Sequence, residues 1–182
     1  MAGLPKYSVC VVLLTICALF LVTMSLTMFW YGYSDIYDGT NMLAVDRCDI
    51  HNYPASYWGE SSLARVMLAL QIFAILWLLA ALLFVGLLTL DDHMAALKSS
   101  AVLVLLSVGM IVYFVLKIPG AVNSSPDPTP RLSGFLSSST YGGETYTGGP
   151  MAGFFVAMLA CAIQVTAVVL YLRWLRAGKI PV

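Results

Sequence analysis

Four apolar blocks, each about the 20 to 25 residues that cross a bilayer core, alternate along this chain with shorter polar stretches. The first covers about residues 7–31, follows Lys6, carries no charge and closes on Phe29, Trp30 and Tyr31. The second covers about 63–90, the third about 96–117 and the fourth about 150–172. The fourth opens at Pro150, a residue suited to a first helical turn, and runs into Arg173, Trp174 and Arg176. Uncharged runs of this length predict transmembrane helices, because about 20 residues rising 1.5 Å each cover a hydrocarbon core of about 30 Å. The first is too long, and lacks the small-residue exit, for a cleaved signal peptide, so it reads as a retained anchor. An inner hairpin at about 91–95, with Asp91, Asp92 and His93, makes spans two and three antiparallel neighbours. The expected fold is an all-α membrane protein: a four-transmembrane-helix antiparallel bundle forming a single domain over 1–182, with room for a small β-cap formed by the first outer loop.

Composition sharpens this picture. Hydrophobic residues make up 60% of the 182 and charged residues 10%, against about 25% charged in ordinary soluble domains. A soluble fold of this size could not cover that much apolar surface. The nine basic and nine acidic residues cancel, and the basic ones are scattered, so no patch exists to neutralise nucleic-acid phosphates. Lys6, Lys98, Arg173, Arg176 and Lys179 crowd one side of the predicted membrane, opposite Arg47, Arg65, Lys117 and Arg131 with most of the acids. Basic residues beside spans resist translocation, so both termini are expected inside, in a plasma membrane or, alternatively, a mitochondrial inner membrane. Asn123-Ser124-Ser125 is then an N-glycosylation sequon in the second outer loop.

The first outer loop, about 32–62, carries Asp35, Asp38, Asp46, Asp49 and Glu60 with the aromatic residues Tyr33, Tyr37, Tyr53, Tyr57 and Trp58. Those rings could pack a small ordered cap, and Cys48, Tyr57 and Trp58 are candidate contact residues. The second outer loop, about 118–149, holds Pro126, Pro128 and Pro130, a serine run at 137–139 and Gly142-Gly143. It is expected to be partly mobile, since it has little apolar surface to offset the entropy of ordering.

Candidate chemistry is sparse. The two histidines, His51 and His93, fall on opposite sides of the predicted bilayer, too far apart to share a haem. Cys48, His51 and Asp46 fall short of a zinc ligand set, and Cys48 with His51 alone makes no nucleophilic site. No ionisable residue lies deep within a span, as ion or proton transport would need. No catalytic residue, cofactor or metal is expected, and neither is a small-molecule substrate. The deepest polar groups, Gln71 and Gln164, are expected to form hydrogen bonds between helices. Gly149, Gly153, Ala157 and Cys161 recur every four residues, a stripe where another helix of this chain or of a second copy could approach closely. Cys48 is the single cysteine outside the spans, so it is a free thiol or a bridge between chains. Cys10 and Cys17 read as packing residues or acylation sites.

This layout resembles the claudin-like tetraspan group, with both ends inside, a larger first outer loop and a tight inner hairpin. The residues carrying the likeness are Trp30 after span one, Tyr57-Trp58-Gly59 before span two, and Leu63 to Gln71 with Arg65 at the outer edge. Cys48 followed by Trp58-Gly59, and Tyr141 to Gly153-Phe154-Phe155 leading into a span with Cys161 and Gln164, look more like the amastin surface proteins. Both groups carry a second cysteine in the first loop, which this chain lacks. The resemblance implies a non-enzymatic surface or barrier-type membrane protein, and the expected partners are membrane lipid and other membrane proteins or further copies of itself. The alternative expectation is a small accessory subunit of a large membrane complex.

Overall fold

The computed structural model describes residues 6–35, 39–44, 48–49, 62–90, 92–124, 133–141 and 144–178. Four helices dominate: α1 (Lys6–Leu26), α2 (Ser62–Thr89), α3 (His93–Asn123) and α4 (Ala152–Arg176). All four are long and apolar enough to cross a membrane. Strands β1 (Phe29–Asp35), β2 (Gly39–Ala44) and β3 (Cys48–Asp49) follow α1, while β4 (Ser137–Tyr141) and β5 (Glu144–Pro150) precede α4. The chain is therefore an integral membrane protein by its four apolar helices, with one antiparallel sheet at the end of the bundle opposite the α2–α3 hairpin.

The helices are apolar on all sides because the solvent around them is lipid. Bulky residues such as Leu13, Phe20, Leu105 and Leu116 face outward, whereas Ala18, Ala74, Ala81, Ala96, Ala157, Ala160 and Ala167 lie within. Small side chains on the inner faces let backbones approach, which is how helices associate when burial against lipid drives nothing. α1 packs chiefly on α4 and α2 on α3, and the ring closes through α3–α4 and α1–α2. Lys98 and Lys117 stand on exposed positions of α3, separated by about 28 Å of helix, close to a hydrocarbon thickness. At 31 residues α3 spans about 46 Å, so its last turns project beyond the lipid core and support the sheet.

The ends of the elements depart from the sequence reading in four places. Span one was expected to reach residue 31, but α1 stops at Leu26 and Phe29 already belongs to β1. The helix is closed by its own neighbours: Trp30 Nε1 donates to the Ser25 carbonyl at 2.8 Å and Thr27 Oγ1 to that of Met24 at 2.9 Å. Span three was expected over 96–117; it begins at His93, where the Asp92 carboxylate accepts from Ala95 N at 3.0 Å, and continues through Pro119 to Asn123. The fourth helix starts at Ala152, with Pro150 in β5 rather than in a first turn. The second outer loop, expected to be partly mobile, supplies β4 and β5. The expected cap is thus built by both loops, in the strand order β3-β2-β1-β5-β4.

Pairing explains why the second loop is ordered. β5 adds to β1 through Tyr31↔Pro150, Gly32↔Gly149 and Tyr33↔Gly148. Met151 N then donates to the Trp30 carbonyl at 2.9 Å, carrying the ladder to the threshold of α4. β1 therefore binds the segment that follows it and the segment that precedes α4, locking both connections to the same end of the bundle.

Candidate functional site

The sheet rests on an aromatic seat that begins with an irregularity in β1. Phe29 pairs with Ala44 but Tyr31 with Leu43, so the register slips at Trp30. In a regular strand Trp30 and Tyr31 would face opposite sides; an extra residue at a bulge turns neighbouring side chains the same way. Both are fully buried here. Phe114 from α3, Phe154 from α4 and Phe135 from the stretch before β4 complete the cluster. Trp30 meets Phe114 edge-on with centroids 5.2 Å apart, Tyr31 lies 5.5 Å from Phe135, and Phe135 lies 5.1 Å from Phe154. Offset and edge-on rings at these separations each add about 0.5 to 1.5 kcal/mol beyond burial. Tyr31 Oη also donates to the Phe135 carbonyl at 3.1 Å, and burial pushes its hydroxyl up to about 12.

Gly153 is the point of closest approach. A β-carbon there would sit 2.7 Å from Trp30 Cδ1, 2.8 Å from the Phe29 carbonyl oxygen and 3.0 Å from that of Met28. Its absence lets the first turn of α4 abut the α1–β1 junction. Of the predicted stripe, Gly153, Ala157 and Cys161 do line the buried face of α4. Gly149 does not belong to it: it lies in β5, where the ladder to β1 overrides the helical spacing. Cys161 Sγ approaches the Ser107 carbonyl of α3 at 3.6 Å, a contact between neighbouring helices of one chain.

The glutamines divide. Gln71 is half-buried on α2. Gln164 is fully buried on α4, yet neither its oxygen nor its nitrogen has a hydrogen-bond partner among the described residues, so the expected hydrogen bond between helices is not formed there. One interhelical bond joins residues the sequence reading passed over: Trp77 Nε1 of α2 donates to Ser107 Oγ of α3 at 2.8 Å.

Asn123 is exposed as the last residue of α3, at the sheet end, with Ser124 Oγ donating to the Gly120 carbonyl at 2.7 Å. Cys48 lies in β3, paired with Leu43. Tyr57, Trp58 and His51 lie outside the described residues. Among the described residues no three His, Cys, Asp or Glu side chains converge. An apolar groove of about 410 Å³ runs between α3 and α4, lined by Val108, Val112, Met158 and Val165 beside Ser107 and Cys161. Its lining suits a lipid tail better than a polar substrate.

Phe135 and Ser137–Tyr141 are the site residues that the sequence reading missed, though a signal was present. A Gly142-Gly143 pair flanked by Ser, Thr and Tyr is a two-residue hairpin pattern.

Among the described residues the sheet ends in two edges, β3 and β4. β3 is two residues long. β4, on the other edge, reads Ser-Ser-Ser-Thr-Tyr, without charge or proline, and the exposed side chains of Ser138 and Thr140 bear no guard against another strand. A scan against protein-family models finds no match to this chain, and a search of curated proteins finds none either, so its functional reading rests on this geometry.

Proposed function

We propose that this chain is a non-enzymatic membrane protein of the cell surface whose sheet, facing outward, makes lateral or opposing contacts with other membrane proteins or further copies of itself. The observation that carries the proposal is the unguarded β4 edge on a sheet braced by five aromatic rings. A rigid seat lowers the entropy lost when an edge engages a partner. An edge strand without charge or proline favours strand addition, in which main-chain hydrogen bonds provide affinity. The basic residues support the orientation: Arg173 and Arg176 end α4 at the hairpin end, and Lys98 stands nearby on α3. That end is then cytoplasmic, with Asn123 and the sheet outside. The claudin-like and amastin-like resemblance enters this proposal as a likeness of arrangement.

The experiment is native gel migration of the membrane-extracted protein in mild detergent, for the wild-type chain and a Ser138→Lys/Thr140→Lys variant. Small oligomers that dissociate in the variant are the expected result. Migration within a large complex, unaffected by the two lysines, would replace this reading with that of an accessory subunit. Glycosidase treatment that shifts the wild-type protein but not Asn123→Gln tests the outward placement of the sheet.

A further inference from the structure

Halfway through the bundle, each helix contributes one polar group to the apolar interior. Thr15 of α1, Trp77 of α2, Ser107 of α3 and Gln164 of α4 are all fully buried. Ser107 stands midway between Lys98 and Lys117, the two charges that bracket the lipid-facing length of α3. Thr15 lies 11 residues before the end of α1 and Gln164 lies 12 residues after the start of α4. At 1.5 Å per residue both sit about 17 to 18 Å from the sheet end, level with each other on helices that pack side by side.

The two halves of this layer are satisfied differently. Between α2 and α3 it closes on itself: Trp77 donates to Ser107 Oγ at 2.8 Å, and Ser107 Oγ donates to the Leu103 carbonyl at 2.7 Å. Between α1 and α4 it does not, because Gln164 Oε1, Gln164 Nε2 and Thr15 Oγ1 have no partner within hydrogen-bonding distance among the described residues. Thr15 is the more informative of the two residues. Thr23, Ser25, Thr89, Ser99, Ser100, Ser107 and Thr166 all donate to a carbonyl three or four residues back in their own helix. That bond is the default for a hydroxyl in an apolar surround, and Thr15 forgoes it.

We propose that Gln164 and Thr15 form an internal hydration site near the middle of the bilayer, holding about one or two water molecules. An amide and a hydroxyl supply both donors and acceptors, which is what water needs and what an apolar guest would leave unsatisfied. Their neighbours along the helices are small: Ala160 and Ala167 lie about one turn either side of Gln164, and Ala18 follows Thr15 by one turn. No ionised side chain among the described residues belongs to this layer, so a neutral guest matches it better than an ion. Water enclosed there exchanges only when α1 and α4 part, so its exchange reports opening of that seam.

Gln71 and Gln164 are the only glutamines in the chain, which makes the test direct. Protein labelled with ¹⁵N-glutamine is placed in lipid bilayers, and magnetisation transfer from water to the side-chain amides is measured by solid-state NMR, with Gln71→Met assigning the signals. Transfer to the Gln164 amide is expected, weakened about threefold or more in Thr15→Val and restored in Thr15→Ser. A dry Gln164 amide in the wild-type protein, or transfer indifferent to Thr15→Val, would overturn the proposal.

Discussion

At the sheet end of the bundle, rings from β1, α3, α4 and the stretch before β4 interlock around Trp30. At the hairpin end, Phe84 and Tyr171 meet edge-on at 5.6 Å in a core otherwise lined by residues such as Ala81, Ala96, Ala167 and Leu88. The difference follows from what each end must hold. α2 and α3 are tied by a hairpin of a few residues, and close alanine packing finishes the work there. At the other end two long connections must be fixed to helices that lipid gives no incentive to gather. Backbone drawn down against the helix ends, away from water, has to be paired, and large rings supply packing that small residues cannot. The hairpin end has its own link: Tyr171 Oη donates to the His93 carbonyl at 3.0 Å, fastening α4 to the start of α3.

Substitutions should separate the two ends in a definite order. Trp30→Ala removes the ring shared by β1, α3 and α4 together with the Nε1 bond to Ser25. It is expected to lower stability by about 3 to 5 kcal/mol, read as a large fall in melting temperature in detergent. Gly153→Ala comes next: the added carbon meets two backbone oxygens that cannot swing aside. A loss of about 1 to 3 kcal/mol is expected, accompanied by slower migration on native gels if the sheet splays from the bundle. Tyr171→Phe deletes one hydrogen bond at the hairpin end, and a loss of about 0.5 to 1.5 kcal/mol is expected. Equal losses for Trp30→Ala and Tyr171→Phe in chemical denaturation would erase the contrast between the ends.

The last contrast is a pH dependence at the sheet end. The hydroxyl of Tyr31 ionises at about 12 rather than at the ordinary 10.0 because it is buried. Folding therefore favours its protonated form. The contribution is complete below pH 10 and declines as pH rises through about 12. A thermal-shift series across this window should show the wild-type protein losing stability more steeply than Tyr31→Phe.

Much of this contrast was hidden in the sequence, for reasons that differ by residue. The four helices were legible because an uncharged run of the right length has one stable form in lipid. Their ends were less so: Phe29, Trp30 and Tyr31 suit an interfacial belt as well as a strand, and only the pairing of β1 with β2 and β5 decides between them. Gly149 shared the spacing of Gly153 and Ala157, but strand pairing with Gly32 took precedence over a pattern of small residues. The β4–β5 hairpin was missed because its Ser, Thr and Gly residues bury little by themselves. Its stability comes from β1, more than a hundred residues earlier in the chain. Depth was readable for Gln164, whereas its lack of a partner depends on the rotation of α1 and α4 about their axes, which composition does not encode.

The most direct measurement is side-specific thiol labelling in sealed, oriented vesicles. Cys10, Cys17, Cys48 and Cys161 are replaced, and a single cysteine is placed either at Ser138 in β4 or at Ala177, just past the end of α4. Four crossings with the sheet at one end of the bundle require a membrane-impermeant reagent to reach these positions from opposite sides. Labelling of both from the same side would contradict the fold on which everything else depends.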